Sequence, residues 1–277
     1  MAIKTVEQIA LELIRERSTA ASKKFRDAVK PIYGVTDKGD PEHIGTALLL
    51  KLPEGHFLLT AAHIIDWNAS TTLHIGANDF LPMEFEAFIT AAPMGEREED
   101  HADFAIAPLD DVVLSQLSDA SFITEAQISR SVAPTEDRLY TCLGYPNSKN
   151  KVHRFKGRKV APSLGIYTSF GRPTSQLAKI ATDDLHLLVD HNAKFSRDKS
   201  GKKVKSVALS GFSGGAMVDL GEVSAGSLTA EPDPKLAALL IEGHAVEQVI
   251  LGTRLVAILQ ALREQLAKNK AAAAEAP

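Results

Sequence analysis

Residues 210–218, SGFSGGAMV, place three glycines, Gly211, Gly214 and Gly215, around Ser213 and directly before an apolar run. Glycine loses more conformational freedom on folding than any other residue, so this clustering indicates a sharp turn or a close approach of the backbone to another group. The pattern Gly-x-Ser-Gly-Gly would arise by chance in about one chain per hundred of this size. Ser213 is therefore a candidate nucleophile that needs a base and an acid elsewhere in the chain.

The composition is ordinary for a globular protein, with 44% hydrophobic and 24% charged residues in 277 positions. That length allows one large domain or two small ones. No stretch reaches the roughly 18 apolar residues of a membrane span, and Glu7, Glu12 and Arg15 interrupt the N-terminal apolar residues, unlike a secretory signal. Cys142 is the only cysteine, which excludes an intrachain disulfide and favours a cytoplasmic location. The net charge of −4 gives no reason to expect a nucleic-acid or membrane partner.

A helix is predicted at each end of the chain. Thr5 and Gln8 have the spacing of a capping box, and apolar residues follow at helical spacing up to residue 17. The charged stretch after residue 17 is predicted to form at most a second short helix. We expect the first helix to pack on its own domain, with binding of a partner as the alternative. Near the other end, Thr253 could cap a helix with one apolar face, formed by Leu255, Ile258, Leu262 and Leu266.

Between residue 30 and about residue 255, short apolar runs alternate with turn-forming residues. This texture is typical of an antiparallel sandwich or barrel. Two basic stretches, 149–160 and 194–205, flank turn signals, so we expect solvated hairpins there rather than a nucleic-acid groove. The acidic stretch 96–103 is expected to be a solvated loop, because it lacks the spacing of a metal site.

Two further motifs supply candidate partners for Ser213. In LLTAAHIID an apolar strand ends in small residues and is followed by His63, a residue type that can accept a hydroxyl proton as a general base. The alternative for His63 is a structural histidine at a strand end. In DHADFAIAPL, Asp103 begins an alternating strand. A carboxylate at the head of a buried strand needs a partner, which an imidazole N–H would supply.

Together, LLTAAH, DFAIAPL and GFSGGA resemble the three motifs of the trypsin/chymotrypsin-like serine proteases, in that family's order of histidine, aspartate and serine. The first two of these residues are 40 positions apart, and the last two are 110 apart. CLGYP at 142–146 is similar to the family's strand that opens a second barrel, and residues 236–259 resemble its last strands and terminal helix. The resemblance covers about residues 30–265. Because no disulfide is possible, it points to the bacterial, disulfide-free branch of the family.

The resemblance implies a mostly β fold of two antiparallel six-stranded β-barrels, with an N-terminal helical extension and a C-terminal helix. His63 and Asp103 would belong to the first barrel and Ser213 to the second. The expected boundaries are 1–29 for the extension, about 30–130 and 131–253 for the barrels, a protease domain that ends with the helix at 265, and 266–277 for a flexible tail.

The resemblance also implies an activity, that of a serine endopeptidase working through an acyl-enzyme on a protein or peptide, with no metal or organic cofactor. His63 would be the general base, Asp103 would orient it, and Ser213 would be the nucleophile. The N–H groups of Gly211 and Ser213 would form the oxyanion hole, which stabilises the negative oxygen of the tetrahedral intermediate.

One position departs from the family's pattern. Phe212 stands where secreted digestive members have an aspartate that pairs with a new N-terminus after activation cleavage, so we expect activity without such cleavage. An ungapped count places Val207 at the base of the primary specificity pocket and Ile250 on its wall, with Glu242 and His244 on the strand beside it. A shallow, apolar pocket of this kind favours cleavage after Ala, Val or Leu.

Two other functions fit some of the same residues. GFSGG also satisfies the nucleophile elbow of α/β-hydrolase esterases, in which Asp233 and His244 would follow the serine in the right order. The glycines and AMVDL after Ser213 are a poor helix start, however, and an elbow must open a helix. The second alternative is a catalytically weak or inactive protease fold that serves as a binding module.

Overall fold

The computed structural model of the chain describes residues 5–76, 80–83, 86–117, 119–131, 135–150, 162–192, 194, 196–198, 202–223 and 233–275. Within these ranges the chain is mostly β. Residues 151–160, most of the first basic stretch, lie outside the described residues.

The first half of the chain forms one eight-stranded sheet. The N-terminal helix α1 (Val6–Phe25) precedes it, and the short helices α2 (Ala62–Asp66) and α3 (Asp111–Gln116) interrupt it. Its strands are β1 (Val29–Val35), β2 (Pro41–Leu52), β3 (Gly55–Thr60), β4 (His74–Gly76), β5 (Phe80–Pro82), β6 (Phe88–Ile89), β7 (Ala105–Pro108) and β8 (Ile123–Thr124). The path is β5–β4–β1–β2–β3–β7–β6, with β8 pairing in parallel with β2.

The hairpin of β2 and β3 forms the centre of this sheet. Residues 47–50 of β2 are fully buried, as expected of a continuous apolar run covered on both faces. On the other side β3 pairs with β7, with Thr60 opposite Ala105. The chain continues from the end of β3 into α2 and arrives at the start of β7 through the acidic stretch. The segments that carry His63 and Asp103 therefore leave the sheet at the same edge.

The second half forms a closed six-stranded antiparallel barrel in the order β10–β11–β16–β15–β14–β9. The six barrel strands are β9 (Arg138–Gly144), β10 (Gly165–Arg172), β11 (His186–Asp190), β14 (Ala216–Glu222), β15 (Lys235–His244) and β16 (Val249–Arg254). Two short strands, β12 (Ser196–Arg197) and β13 (Lys203–Val204), form a separate sheet. Among the described residues, β12 and β13 pair with each other and with no further strand, so the second basic stretch contains the expected hairpin. β14 begins three residues after Ser213 and places the serine turn at one end of the barrel.

Helix α1 begins with the predicted capping box, in which Thr5 and Gln8 bond each other's backbone amides. It then continues as one helix to Phe25 rather than ending near residue 17. Tertiary contacts explain the extension. Phe25 is fully buried in the main core, and the buried guanidinium of Arg17 donates to the carbonyl oxygens of Leu220 and Glu222 at the end of β14. The helix therefore packs on its own barrel.

The C-terminal helix α4 (Leu255–Glu275) corrects two expectations. It extends through the segment expected to be a tail, because the alanines at 271–274 have the highest helix propensity of any residue. Thr253 does not cap it, because this residue pairs with Leu239 in the barrel and its hydroxyl donates to the carbonyl oxygen of Ala102.

The observed architecture confirms the predicted mostly β fold, with a closed six-stranded antiparallel barrel and a helix at each end. The first half differs from the expected six-stranded barrel, because it forms an eight-stranded sheet. The barrel of the second half closes by hydrogen bonds, whereas the sheet of the first half stays open as far as the described residues go. A shared core joins the two halves, since side chains of α1, β2, β9, β15 and α4 belong to one buried cluster. In the described part of the chain, no helix is long and apolar enough to cross a membrane.

Candidate active site

His63 and Asp103 are joined by two hydrogen bonds. The Nδ1 atom of His63 lies 2.6 Å from Oδ2 of Asp103, and the backbone N–H of His63 donates to Oδ1 across 2.9 Å. The N–H of Ala62 donates to the backbone carbonyl of Asp103 across 3.2 Å. The imidazole is 35% exposed and the carboxylate only 10%, so the ring is open to a substrate while its partner is shielded from water. This arrangement holds the imidazole with Nε2 free to act as a base.

The backbone around Asp103 is held from several sides. Asp103 has a φ of +36°, an uncommon conformation for a residue with a side chain, which persists only where neighbouring groups enforce it. The carboxylate of Asp100 accepts the N–H groups of Ala102 and Asp103. The carbonyl oxygen of His101 accepts a hydrogen bond from Nε2 of His186 across 2.8 Å. With the Thr253 hydroxyl on Ala102, these contacts set the position of the candidate acid.

The acidic stretch before Asp103 is not the solvated loop that was expected. Asp100 is buried and accepts hydrogen bonds from the hydroxyl of Thr90 and from the guanidinium of Arg97. Arg97 in turn donates to Asp66, three residues after His63, across 2.8 Å. The loop is therefore an ion-paired bridge between the segments of His63 and Asp103. Arg97 and Asp100 are only three residues apart, but Asp66 lies 31 residues from Arg97 and Thr90 lies 10 residues from Asp100, so the local sequence does not distinguish these charges from solvated ones.

The turn that carries Ser213 requires its glycines. Gly211 and Gly214 have φ values of +89° and +83°, which are favourable only for glycine. A Cβ atom at Gly214 would also collide with the carbonyl oxygen of Thr46 on β2. That close approach lets the Thr46 hydroxyl donate to the carbonyl oxygen of Gly211 across 2.7 Å. The clustering of glycines around Ser213 thus reflects both a turn and tight packing.

The backbone N–H groups of this turn divide into two sets. Those of Phe212, Gly214 and Gly215 donate to the carbonyl oxygens of Leu209, Leu240 and Phe212, respectively, at 2.7–2.8 Å. Those of Gly211 and Ser213 donate to no acceptor among the described residues. The two free N–H groups are the pair that would form an oxyanion hole.

Phe212 anchors the turn by burial. Its side chain is fully buried, and a Cβ atom at Gly165 or at Gly144 would lie 2.6 or 3.0 Å from its ring. Two barrel strands thus leave room for the ring by having glycine beside it. An aspartate at position 212 would need an ion-pair partner, whereas the apolar ring of Phe212 is held by burial alone.

One cleft of about 550 Å³ is lined by His63, Asp103 and Ser213. The serine is partly exposed there. In the described part of the chain, His63 and Ser213 are not joined by a hydrogen bond. Such catalytic hydrogen bonds are often long in a protein without substrate and shorten when substrate binds.

The predicted pocket residues separate into two groups. Val207 and Glu242 line the cleft. Ile250 and His244 are not part of its lining. Ile250 is fully buried in a cluster against which Val207 packs, and Nε2 of His244 lies 3.1 Å from Oε1 of Glu242. The expectation that Ile250 projects from the pocket wall is therefore wrong, because successive residues of β16 alternate between the two faces of the strand and a count along the chain does not identify the face.

Further lining residues had no sequence signal. Leu209, Ile241 and Gly243 form apolar lining, and a Cβ atom at Gly243 would lie 2.6 Å from the Leu209 side chain. Lys205 and His191 also line the cleft, and burial lowers the pKa of the His191 imidazole. The described residues contain no group of three or more metal-ligating side chains placed to hold an ion.

No family model and no curated protein matches the chain. Among solved structures, it is similar to the serine endoprotease from Yersinia pestis, with 13% identity, a TM-score of 0.48, and coverage of 97% of this chain and 69% of that one. It is also similar to a structure described for the intrinsically disordered VPg protein of Sesbania mosaic virus, with 14% identity, a TM-score of 0.45, and coverage of 83% and 92%. Values this low carry no argument about the activity of this chain.

Proposed function

We propose that this protein is a serine endopeptidase that cleaves peptide bonds through an acyl-enzyme. The observation that carries the proposal is the 2.6 Å contact between His63 and Asp103 in a cleft that also exposes Ser213. The free N–H groups of Gly211 and Ser213 support it independently, because they lie beside the candidate nucleophile and have no structural use among the described residues.

The mechanism follows from these roles. His63 takes the hydroxyl proton of Ser213 while that oxygen attacks a peptide carbonyl, and Asp103 stabilises the imidazolium that forms. The N–H groups of Gly211 and Ser213 bind the oxyanion, a contribution of about 3–4 kcal/mol per donor in enzymes of this kind. His63 then protonates the leaving amine, and water repeats the sequence on the acyl-enzyme.

The esterase alternative finds no support in the geometry. Ser213 leads into strand β14 rather than a helix. Asp233 is bonded to Lys24 and Lys235, and His244 contacts Glu242, so neither residue is joined to the serine. A nucleophile elbow needs both a helix after the serine and an acid–histidine pair beside it.

The proposal is tested by covalent labelling with a fluorophosphonate, which reacts only with an activated serine. We expect the purified protein to be labelled at Ser213, and Ser213→Ala and His63→Ala to remove the label while circular dichroism and thermal unfolding stay unchanged. The matched control is Ser70→Ala, a change of an exposed serine outside the cleft that should label like wild type.

The inactive binding module is the competing outcome of the same experiment. The missing hydrogen bond between His63 and Ser213 is the observation that favours it. A wild-type protein that binds peptides in the cleft but is never labelled would establish the binding module and refute the peptidase. As part of the proposal, the substrate is a protein or peptide, and the single cysteine supports a reducing, cytoplasmic setting.

A further inference from the structure

The peptide between Ser210 and Gly211 carries one of the two N–H groups assigned to the oxyanion hole, and its orientation is held from outside the turn. The backbone N–H of Asn147, in the loop after β9, donates to the carbonyl oxygen of Ser210 across 2.8 Å. The peptide is trans, so its amide hydrogen points opposite to its carbonyl oxygen. The bond to Asn147 therefore turns the N–H of Gly211 away from this loop.

The side chain of Asn147 links this peptide to a buried histidine. Its Nδ2 donates to the hydroxyl of Ser210 across 3.0 Å, and its Oδ1 lies 2.6 Å from Nδ1 of His43. Because an amide oxygen only accepts, Nδ1 of His43 is the donor in this contact. His43 lies on β2 and is only 6% exposed. Burial lowers the pKa of this imidazole, so it is neutral near pH 7 and donates through Nδ1. The bonds run in one direction, from His43 through Asn147 to Ser210.

The same groups enclose Gly211. A Cβ atom at Gly211 would collide with Oδ1 of Asn147, and it would lie 2.5 Å from the carbonyl oxygen of Tyr145 and 2.8 Å from Cε1 of His43. The ring of His43 packs between those of Tyr33 and Tyr145, at centroid distances of 5.4 and 6.4 Å. The surroundings of Gly211 therefore leave no space for a side chain, and tyrosine rings lie on two sides of the His43 ring.

We propose that His43 and Asn147 are positioning residues that keep the Ser210–Gly211 peptide in the orientation required of an oxyanion hole. The inference rests on the proposed peptidase function. Phe212 cannot form the ion pair with a new N-terminus that secreted digestive proteases make at this position. The neutral, hydrogen-bonded pair of His43 and Asn147 would instead hold the oxyanion hole.

The test compares reactions that need the oxyanion hole with binding that needs only the cleft. The variants are Asn147→Ala, His43→Phe, which keeps a ring but loses the donor, and His43→Gln, which can donate again. His74→Phe, on another strand of the same sheet, is the matched control. Each variant is assayed for fluorophosphonate labelling rate, for kcat and KM on a peptide, and for affinity toward a peptide trifluoromethyl ketone. Binding of a product peptide is measured with Ser213→Ala added.

We expect Asn147→Ala and His43→Phe to lower kcat and the ketone affinity about 10- to 100-fold, since outright loss of an oxyanion donor costs about 10²–10³. KM and product binding should change less than twofold, and His43→Gln should restore most of kcat. If both Asn147→Ala and His43→Phe kept the wild-type kcat and ketone affinity, this inference alone would be overturned. It would also be overturned if product binding fell as much as kcat in these variants. Failure of the wild type to label at all would overturn the proposed function and this inference with it.

Discussion

The backbone N–H of Thr46 donates a hydrogen bond to the carbonyl oxygen of Ser213 across 2.9 Å. Thr46 belongs to β2 of the first sheet, and Ser213 lies in the turn that enters the second barrel. The carbonyl oxygen of Thr46 accepts a hydrogen bond from the hydroxyl of Thr60 across 2.7 Å. Thr60 lies three residues before His63. One residue thus sets the position of the candidate nucleophile relative to the strand that leads to the candidate base.

Replacing Thr46 by valine should weaken both folding and activity. The hydroxyl donates to Gly211 and accepts the N–H of Tyr145 across 3.0 Å, so valine leaves two buried groups without partners. We expect a loss of about 2–4 kcal/mol in the free energy of unfolding, measured with urea. We also expect a fall in kcat of about tenfold or more, because the bond to Gly211 restrains an oxyanion donor. Thr46→Ser keeps the hydroxyl and is the control. A valine variant as stable and active as the serine variant would contradict the assigned contacts.

Asp103→Asn should preserve the shape of the site and reduce its activity severely. An amide at this position can donate to Nδ1 and so favours the tautomer of His63 that cannot accept the serine proton. The expected fall in kcat is about 10⁴-fold, the size seen for this change in a serine protease triad. Steady-state kinetics give the value, and Asp111→Asn, on the exposed start of α3, is the control. Equal loss of activity in both variants would show that the effect is not specific to the pair with His63.

The lining of the cleft predicts cleavage after small or medium apolar residues such as Ala, Val and Leu. Val207, Leu209 and Ile241 are apolar, whereas the carboxylate of Glu242 on β15 is 44% exposed and lies 3.1 Å from Nε2 of His244. Val207, the residue expected at the base of the pocket, offers a Lys or Arg side chain no opposite charge, which is unfavourable for a buried cation. Digestion of a peptide library followed by mass spectrometry tests this. Leu209→Ala should shift cleavage toward larger apolar residues, whereas a dominant preference for Lys or Arg would refute the assigned pocket.

Activity should not require cleavage near the N-terminus. Phe212 is fully buried and uncharged, so it cannot form an ion pair with a new terminal amine. We expect the full-length chain, identified by intact mass, to carry the fluorophosphonate label. Phe212→Ala should lose about 3–5 kcal/mol of stability, measured with urea, because it empties a packed site. Label found only on a shortened chain would contradict this prediction.

The free energy of unfolding should fall in mild acid, because His186 is buried in its neutral form. His186 is 1% exposed, accepts the N–H of Thr182 at Nδ1 and donates from Nε2 to His101. Burial lowers its pKa, so as the pH falls the unfolded chain takes up a proton before the folded one does. The contribution of neutral His186 is complete above its ordinary pKa of about 6.5 and is lost as the pH falls through that value toward the folded pKa.

Urea unfolding at pH 8, 7, 6 and 5 measures this effect. The difference in unfolding free energy between wild type and His186→Gln should shrink from pH 8 to pH 5. The same comparison with His74→Gln supplies the control. A difference that stays constant or widens in acid would show that His186 is not kept neutral by the fold.

The local sequence determined those features that depend on neighbours within a few positions. The capping box at Thr5 starts α1, and the glycines around Ser213 form a turn that only glycine adopts easily. The alternation of apolar runs with turn residues predicted the β architecture, and the resemblance of three motifs indicated His63 and Asp103, whose side chains the fold brings to 2.6 Å. In each case the chemical requirement is expressed in adjacent residues.

Tertiary structure decided the rest, because the deciding partner is far away in the chain. Residues after position 17 stay helical through contacts with β14, Thr253 bonds Ala102 instead of capping α4, and Ile250 turns into the barrel core rather than the cleft. His43 and Asn147 are 104 residues apart, and Thr46 is 165 residues from Gly211. A hydrogen bond depends on distance and direction in space, and only the packing of the first sheet against the second barrel brings these groups together.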